Sequence, residues 1–441
     1  MKWHHDGKTI FALATAVGRA AVAVIRISGP GARVAIETIA GRIPAPRYAA
    51  LRSLRDEDSS VIDDALVLWF PAPNSFTGED CAEFQSHGGR AVVRALLSRL
   101  ARLDGFRQAE PGEFARRAVR NGKMSLEAAE GLADLIDSET EQQRRASFRA
   151  ADNGFGRVLS SWGQQLLEAS AMVEAELDFS DEGDVSDFDR SAFTKKLAEL
   201  AHEMMQAERL EKYGRRLRDG LTIVLAGAPN VGKSSLMNAL ADRDHAITSP
   251  IAGTTRDSIE LALELDGYLV VLVDTAGVRE TSDPIEREGV RRARMRMDQA
   301  DLVLWLDDGV TQAEPPHAAG SAVVWRVGTK ADLRSESDVA DRYDLTISTK
   351  KATGLDELRR RVSRFANEMV SVEGFDIRRR HLIAIRQGRA AIERVLMDDL
   401  IALELVAEEL RVARRALNAL SLAQDSETVL DEIFGRFCVG K

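Results

Sequence analysis

The sequence predicts a multidomain protein of α/β plus α class, with a doubly wound α/β domain inserted into a helical domain behind a mixed strand-and-helix N-terminal domain. Three observations predict it. The chain has 441 residues, beyond the roughly 250–300 at which one core stops growing. From Ser125 to about Arg218 glycine is sparse, proline is absent, and Ala, Leu, Glu and Arg dominate, the composition of long packed helices. From Leu221 to about Met369 short apolar runs (Leu221 to Ala226, Leu269 to Val273, Leu302 to Leu306, Ala322 to Val327) alternate with longer segments, the order of a largely parallel sheet wound with helices.

Each part follows in order. Residues 1–121 form the N-terminal domain. Ala20 to Ile27 and Ala65 to Phe70 are short apolar runs bounded by Gly, Pro or Asp, and Ala91 to Leu103 spaces its apolar residues by three and four, so strands pack with a few helices. The turn-rich segment Pro71 to Gly78 between them is a surface loop of the kind that carries function. Residues 122–217 are the first part of the helical domain. Within it, Asp178 to Asp189 mimics a calcium loop with Gly183 sixth, but Asp189 stands where that loop needs a bidentate Glu; a helix-breaking acidic loop is the better reading. Residues 218–372 are the inserted α/β domain. Residues 373–441 return to helix, with Ile383 to Ala419 periodic and charged, and rejoin the first helical part.

Composition narrows the function. A net charge of −10 argues against a surface that coats nucleic acid, so any such contact is local. The basic clusters Arg291–Arg296, Arg359–Arg361 and Arg378–His381 read first as solvated helix faces. No apolar stretch of about 18 residues occurs, so neither secretion nor membrane spanning is expected, and the two cysteines, Cys81 and Cys438, lack the spacing of a disulfide framework or a zinc site. The expectation is a cytoplasmic protein without membrane association.

Gly227-Ala228-Pro229-Asn230-Val231-Gly232-Lys233-Ser234 follows an apolar strand and runs into the helical segment Ser235 to Ala241. This is a P-loop: its backbone N–H groups, from Asn230 through Ser235, wrap phosphates, Lys233 reaches the β and γ oxygens, and Ser234 ligates magnesium. Asp274-Thr275-Ala276-Gly277 ends the next strong strand, placing Asp274 to hold magnesium through water and the Gly277 N–H to sense the γ-phosphate. Thr255, in Gly253-Thr254-Thr255-Arg256-Asp257, stands where a switch threonine completes magnesium coordination. Thr329-Lys330-Ala331-Asp332 follows the strand Ala322 to Val327; Asp332 can accept both donors of the guanine N–H edge, Lys330 stacks alongside, and Ser348-Thr349-Lys350 closes the base pocket. The order of motifs selects GTP and a Ras-like G domain. Thr329 replaces the Asn usual at that position, which predicts lower affinity with guanine preference kept. Val278 replaces the Gln that positions water in Ras-like proteins, and an apolar side chain cannot orient water.

Asp274 to Glu286 (Asp-Thr-Ala-Gly-Val-Arg-Glu-Thr-Ser-Asp-Pro-Ile-Glu), the Gly-Thr-Thr-Arg-Asp switch, the insertion into helices and the ending Cys438-Val439-Gly440-Lys441 together resemble the MnmE (TrmE) family of tRNA modification GTPases over essentially the whole chain. The resemblance implies activation by nucleotide-dependent dimerisation, with a potassium ion in place of an arginine finger. Its ligands would be Asn230 and backbone oxygens of Ser249, Ile251 and Thr254. Glu286 would orient water, although without the family it reads as a solvated carboxylate. The resemblance further implies an N-terminal domain that binds a tetrahydrofolate derivative, 5-formyl or 5,10-methylene, through Arg26, Glu83, Lys123 and Lys441, and that forms a homodimer. It implies a modification role for Cys438, with a buried structural cysteine as the alternative, disfavoured because chain ends are usually mobile; Cys81 takes the opposite weighting. Finally it implies an FAD-dependent, MnmG-like partner in a heterotetramer, and tRNA modified at carbon five of the wobble uridine by an aminomethyl-type group. Two rivals stay open: a ribosome-assembly GTPase sharing the G domain, and a structural dimer that binds GTP without turnover.

Overall fold

The computed structural model describes residues 7–152, 154–179, 188–242, 260–274, 294–310, 322–333, 342–370, 377–398, 401–421, 427–435, 437 and 439–440. The chain divides into two compact units, one of Met1–Ala133, Ala151–Ala175 and Leu410–Lys441, the other of Asp134–Ala150 and Glu176–Glu409.

The first unit is built on a sheet of six strands: β1 (Thr9–Leu13), β2 (Ala20–Ser28), β3 (Ala50–Arg55), β4 (Val61–Phe70), β5 (Cys81–Gly88) and β6 (Phe106–Gln108), in the order β3-β4-β5-β2-β1-β6. Its pairs are antiparallel except β1 with β6. Helices α1 (Ala32–Ala40) and α2 (Arg90–Ala101) cover the face carrying Ile25, Ile27, Val67 and Phe84, burying Ile36, Ile39, Leu96 and Leu100 against it. Strand β4 starts four residues before the apolar run that predicts it. Asp63 and Asp64 sit in it because each has a donor: Asp63 accepts from the His87 backbone N–H (2.7 Å) and Asp64 from the Ser53 hydroxyl (2.6 Å).

A second core of the same unit joins distant parts of the chain. Ala115 from α3 (Glu113–Arg120) and Leu126 and Ala129 from α4 (Leu126–Asp137) pack with Leu430, Phe434 and Phe437 near the C-terminus. Gly112 lies at φ 67°, and a Cβ there would stand 2.6 Å from the Phe434 carbonyl oxygen, so only glycine admits this approach. The tail is docked beyond it: Val439 bridges Pro111, and Gly440 is buried against the Leu13 carbonyl. This corrects the expectation of a mobile end; apolar packing of Phe434 and Phe437 holds the segment leading to it. Cys438 and Lys441 themselves lie outside the described residues.

The remaining long helices are α5 (Glu141–Ala151), α6 (Gly154–Phe179) and α7 (Arg190–Asp219). Helix α6 ends at Phe179 and α7 begins at Arg190; most of the acidic segment expected to break the helix, residues 180–187, lies outside the described residues. Asp189 caps α7, its carboxylate accepting from the Ala192 N–H at 3.0 Å.

The second unit holds a sheet of β7 (Leu221–Gly227), β8 (Glu260–Leu265), β9 (Tyr268–Asp274), β10 (Leu302–Asp307), β11 (Val323–Gly328) and β12 (Leu345–Thr346), ordered β12-β11-β10-β7-β9-β8 and parallel except at β8. Alternate residues of β7 feed opposite cores. Ile223 and Leu225 pack with Leu236 and Leu240 of α8 (Lys233–Ala241) and Leu358 and Val362 of α9 (Leu355–Val370), whereas Val224 and Ala226 meet Met297 and Ala300. The periodic stretch Ile383 to Ala419 is two helices, α10 (Arg379–Leu396) and α11 (Leu403–Ser421); residues 399–400 between them lie outside the described residues. A short α12 (Glu427–Phe434) follows. Helix α10 lies against α7, where Arg386 and Arg389 both bond Glu208 (3.1 and 2.6 Å).

Candidate functional site

Parallel strands β7, β9, β10 and β11 end together, and the predicted motifs stand on those ends, the usual ligand position of an open α/β sheet. Gly227 leaves β7 at φ 138°, with a Cβ position only 2.2 Å from the Leu306 carbonyl oxygen, and Gly232 enters α8 at φ 105°. Between them Asn230, at φ 62°, is exposed at the loop tip while Val231 is buried. Lys233 is buried and its Nζ donates to the Gly227 and Ala228 carbonyls, both at 3.0 Å. Burial pushes its ammonium below the ordinary lysine value, and the Asp274 charge pulls it back.

Ser234 donates to Asp274 Oδ2 at 3.0 Å, whereas Asp274 Oδ1 is buried without a hydrogen-bond partner among the described residues. A buried, unsatisfied carboxylate oxygen beside a hydroxyl, at the mouth of a phosphate loop, is a hard-oxygen donor set suited to magnesium. Ser235 is exposed on the first turn of α8. Ser249, Ile251, Thr254, Thr255, Thr275, Ala276, Gly277 and Glu286 lie outside the described residues, as does Val278.

The base loop is tied to the phosphate loop through Thr329. Its side chain is 4% exposed and its hydroxyl donates to the Val231 carbonyl at 2.6 Å, while its N–H donates to the Asp307 carbonyl at 2.9 Å. One hydroxyl can thus brace the two loops. Lys330, at φ 55°, extends to Asp308 (2.8 Å). Asp332 accepts from the buried Ser348 hydroxyl at 2.6 Å, and that bond holds its carboxyl below the usual range, with Lys350 and Lys351 contributing. Thr349 and Lys350 form the turn after Ser348, closed by paired backbone bonds between Ser348 and Thr353. Asp308 and Tyr343, whose hydroxyl bonds Asp307 at 2.8 Å, were not singled out by motif; the Asp-Asp-Gly at the end of β10 is the signal that could have found the first.

In the first unit Arg26 and Glu83 face each other across β2 and β5, 3.1 Å apart. The Arg26 guanidinium lies 5.2 Å from the Phe76 ring and 5.8 Å from the Phe114 ring. Sequence reasoning reached the Phe76 loop but not Phe114, whose separation hides it. Lys123 stands beside that loop: a Cβ on Gly78 would lie 3.1 Å from its Cγ, and Asn121 donates to the Thr77 carbonyl at 2.7 Å. Cys81 is buried, its sulfur 3.2 Å from the Thr77 hydroxyl, in keeping with a structural thiol.

Part of each of two basic clusters is ion-paired. Arg360 and Arg361 pair with Glu357, and Arg378 pairs with Asp134; Arg291 and Arg292 lie outside the described residues.

A phosphate loop and an acidic loop after β11, tied together by Thr329 at the strand ends of an open α/β sheet, define the class of P-loop GTPases. Comparison narrows the class. Residues 126–438 match the model of the MnmE helical domain and residues 9–123 that of the GTP-binding protein TrmE N-terminus. A tRNA modification GTPase MnmE of Brucella anthropi is 48% identical over 98% of both chains, and one of Rhodopseudomonas palustris is 47% identical over 99% of this chain and 100% of its own. The G domain of the T. maritima FeoB iron transporter is 27% identical over 33% of this chain and 98% of its own, with a TM-score of 0.24. The chain belongs to the MnmE family of tRNA modification GTPases.

Proposed function

We propose that this GTPase hydrolyses GTP in a potassium-dependent reaction and uses the resulting conformational cycle, with an FAD-dependent MnmG-like partner in a heterotetramer, to add an aminomethyl-type group at carbon five of the wobble uridine of certain tRNAs. The observation that supports the GTP part is the hydrogen bond from Thr329 to Val231, which ties the loop proposed to read guanine to the phosphate loop. Asp332, kept ionised by Ser348, reads the base. Lys233 holds phosphate charge, and the N–H groups at the start of α8 face it. Ser234 and Asp274 would hold magnesium, which when bound neutralises charge on the transferring phosphoryl group.

Asn230 sits at the tip of the phosphate loop with its side chain exposed, which supports its role as a potassium ligand; the remaining assigned ligands and the water-positioning Glu286 rest on family resemblance. For the tetrahydrofolate derivative, Arg26 and Glu83 supply a paired cation and acceptor against the rings of Phe76 and Phe114, a donor set and an apolar wall that fit an aromatic, carboxylate-bearing ligand. Lys123, Lys441 and Cys438 belong to the same proposal, as do a homodimer through the N-terminal domain and a cytoplasmic location.

The test is twofold. GTP hydrolysis should be strongly faster in potassium than in sodium, and equal slow rates would leave an inert binder. Mass spectrometry of wobble nucleosides from cells lacking the chain should show the modification gone; its persistence removes the tRNA part.

A further inference from the structure

Resting on the tRNA reading above, a different face of the first unit carries a further inference. Between Thr38 and Arg55 the chain holds Arg42, Arg47, Arg52 and Arg55 and no acidic residue. Arg42, Arg52, Tyr48 and Leu51 line an open concavity of about 420 Å³ beside β3, an edge strand of the sheet, a volume within the range of small-ligand clefts. In contrast to Arg360, Arg361, Arg386, Arg389 and Arg394, none of Arg42, Arg47 or Arg52 has a carboxylate partner among the described residues.

Two of these guanidinium groups are held in place by main-chain carbonyls. Arg52 donates to the carbonyls of Arg42 (3.2 Å) and Leu51 (2.8 Å), and Arg47 donates to that of Asn74 (2.5 Å) while lying 5.6 Å from the Phe70 ring. Those bonds orient each group and leave its charge uncompensated. Arg47 also sits at φ 63°, held there by its N–H to the Trp69 carbonyl at 2.8 Å. A non-glycine residue kept in the left-handed region costs energy that the surroundings must supply. Amid these cations Tyr48 is 67% exposed and Leu51 66%. The carboxylates further along the same strands are engaged, Asp63 with His87 and Asp64 with Ser53.

We infer that this concavity docks RNA: Arg42, Arg47 and Arg52 pair with successive phosphates while an unpaired base stacks on Tyr48. Oriented guanidinium groups suit phosphate oxygens, and an exposed aromatic among them accepts any base by its π-face. The overall charge of −10 confines such contact to a patch of this kind.

The test measures binding of the full-length chain to an unmodified tRNA transcript with a wobble uridine, across a salt series. Arg42→Ala should lower the slope of log affinity against log salt by about one. Tyr48→Ala should weaken binding about tenfold and Tyr48→Phe should leave it near the parent. GTP hydrolysis should be unchanged in all three variants, since none touches the nucleotide site. Parent-like affinity and slope in Arg42→Ala and Tyr48→Ala would overturn the inference while leaving the tRNA function intact. Failure of the parent itself to bind the transcript would remove both. If the variants keep RNA affinity but lose an acidic protein partner or dissociate a dimer in sedimentation, the face is a protein interface and the inference fails.

Discussion

Thr329 shows how far one hydroxyl can do the work of a larger side chain. It has a single proton to donate, and it gives that proton to Val231, 98 residues away. Thr329→Val should leave the Val231 carbonyl without its donor, costing about 1 kcal/mol, which is roughly fivefold in guanine-nucleotide affinity; Thr329→Ser should bind like the parent. Titration with a fluorescent GDP analogue decides it, and an unaffected Val variant would show that the brace is dispensable. Glu113 is a second case. Its side chain is fully buried between Arg107 (2.7 Å) and Arg117 (3.0 Å). Burial pushes its carboxyl up, but hydrogen bonds from Arg107 and the Glu110 N–H, with the Arg117 charge, hold it below its ordinary value of 4.5. A depressed carboxylate stabilises the fold above the unfolded value and loses that contribution as pH falls below it. Glu113→Ala strands buried guanidinium charge and should cost about 3 kcal/mol in urea unfolding at neutral pH, with the gap to the parent narrowing below about pH 4.5; a gap unaltered by acid would contradict the assignment.

At the scale of elements, helix ends carry the titratable and capping groups. His381 in the first turn of α10 is buried, and its Nδ1 accepts the Arg378 N–H at 3.2 Å. Burial, then the charges of Arg380, Arg378 and Arg218, push its imidazole well below the ordinary 6.5, so it stays neutral and able to accept. Its contribution is present above about pH 6.5 and declines as pH falls, because the unfolded chain takes up the proton first. Thermal melts from pH 7.5 to 5.5 should show stability falling in the parent and a shallower fall in His381→Gln; equal slopes would exclude His381 as the group responsible. At α7, Asp189→Ala removes the cap on the Ala192 N–H and should cost about 1 kcal/mol, with Asp189→Asn close to neutral by chemical unfolding. The elements themselves were largely legible: the strand runs of the second unit and the helical composition after Ser125 are local patterns, and local patterns are what periodicity reads. The start of β4 was not, because Asp63 and Asp64 are admitted by donors on other strands. The end of α10 at Leu396 was missed for want of a Gly or Pro to mark it.

For the whole molecule, the prediction concerns turnover by paired chains. If nucleotide faces of two chains meet in the active state, hydrolysis per chain should rise with protein concentration in potassium and stay flat in sodium, as read by phosphate release. A concentration-independent rate in both salts would point to a monomeric catalyst. What the amino-acid sequence determined by itself was the layout carried by contiguous residues: a phosphate loop of Gly227 to Ser234, a carboxylate, Asp274, at a strand end, and an acidic residue, Asp332, in the loop after β11. Such motifs are legible because a backbone loop and its flanking strand are specified by their own residues. Tertiary structure alone decided which charges are spent and which are free. Arg378 looks like part of a basic patch in the sequence but is paired to Asp134, 244 residues away, whereas Arg42, Arg47 and Arg52, unremarked there, retain their charge. It also decided that the C-terminal segment is docked through Phe434, Phe437 and Gly440. Ion pairing and burial depend on distances between residues remote in the chain, and those distances exist only once the chain has folded.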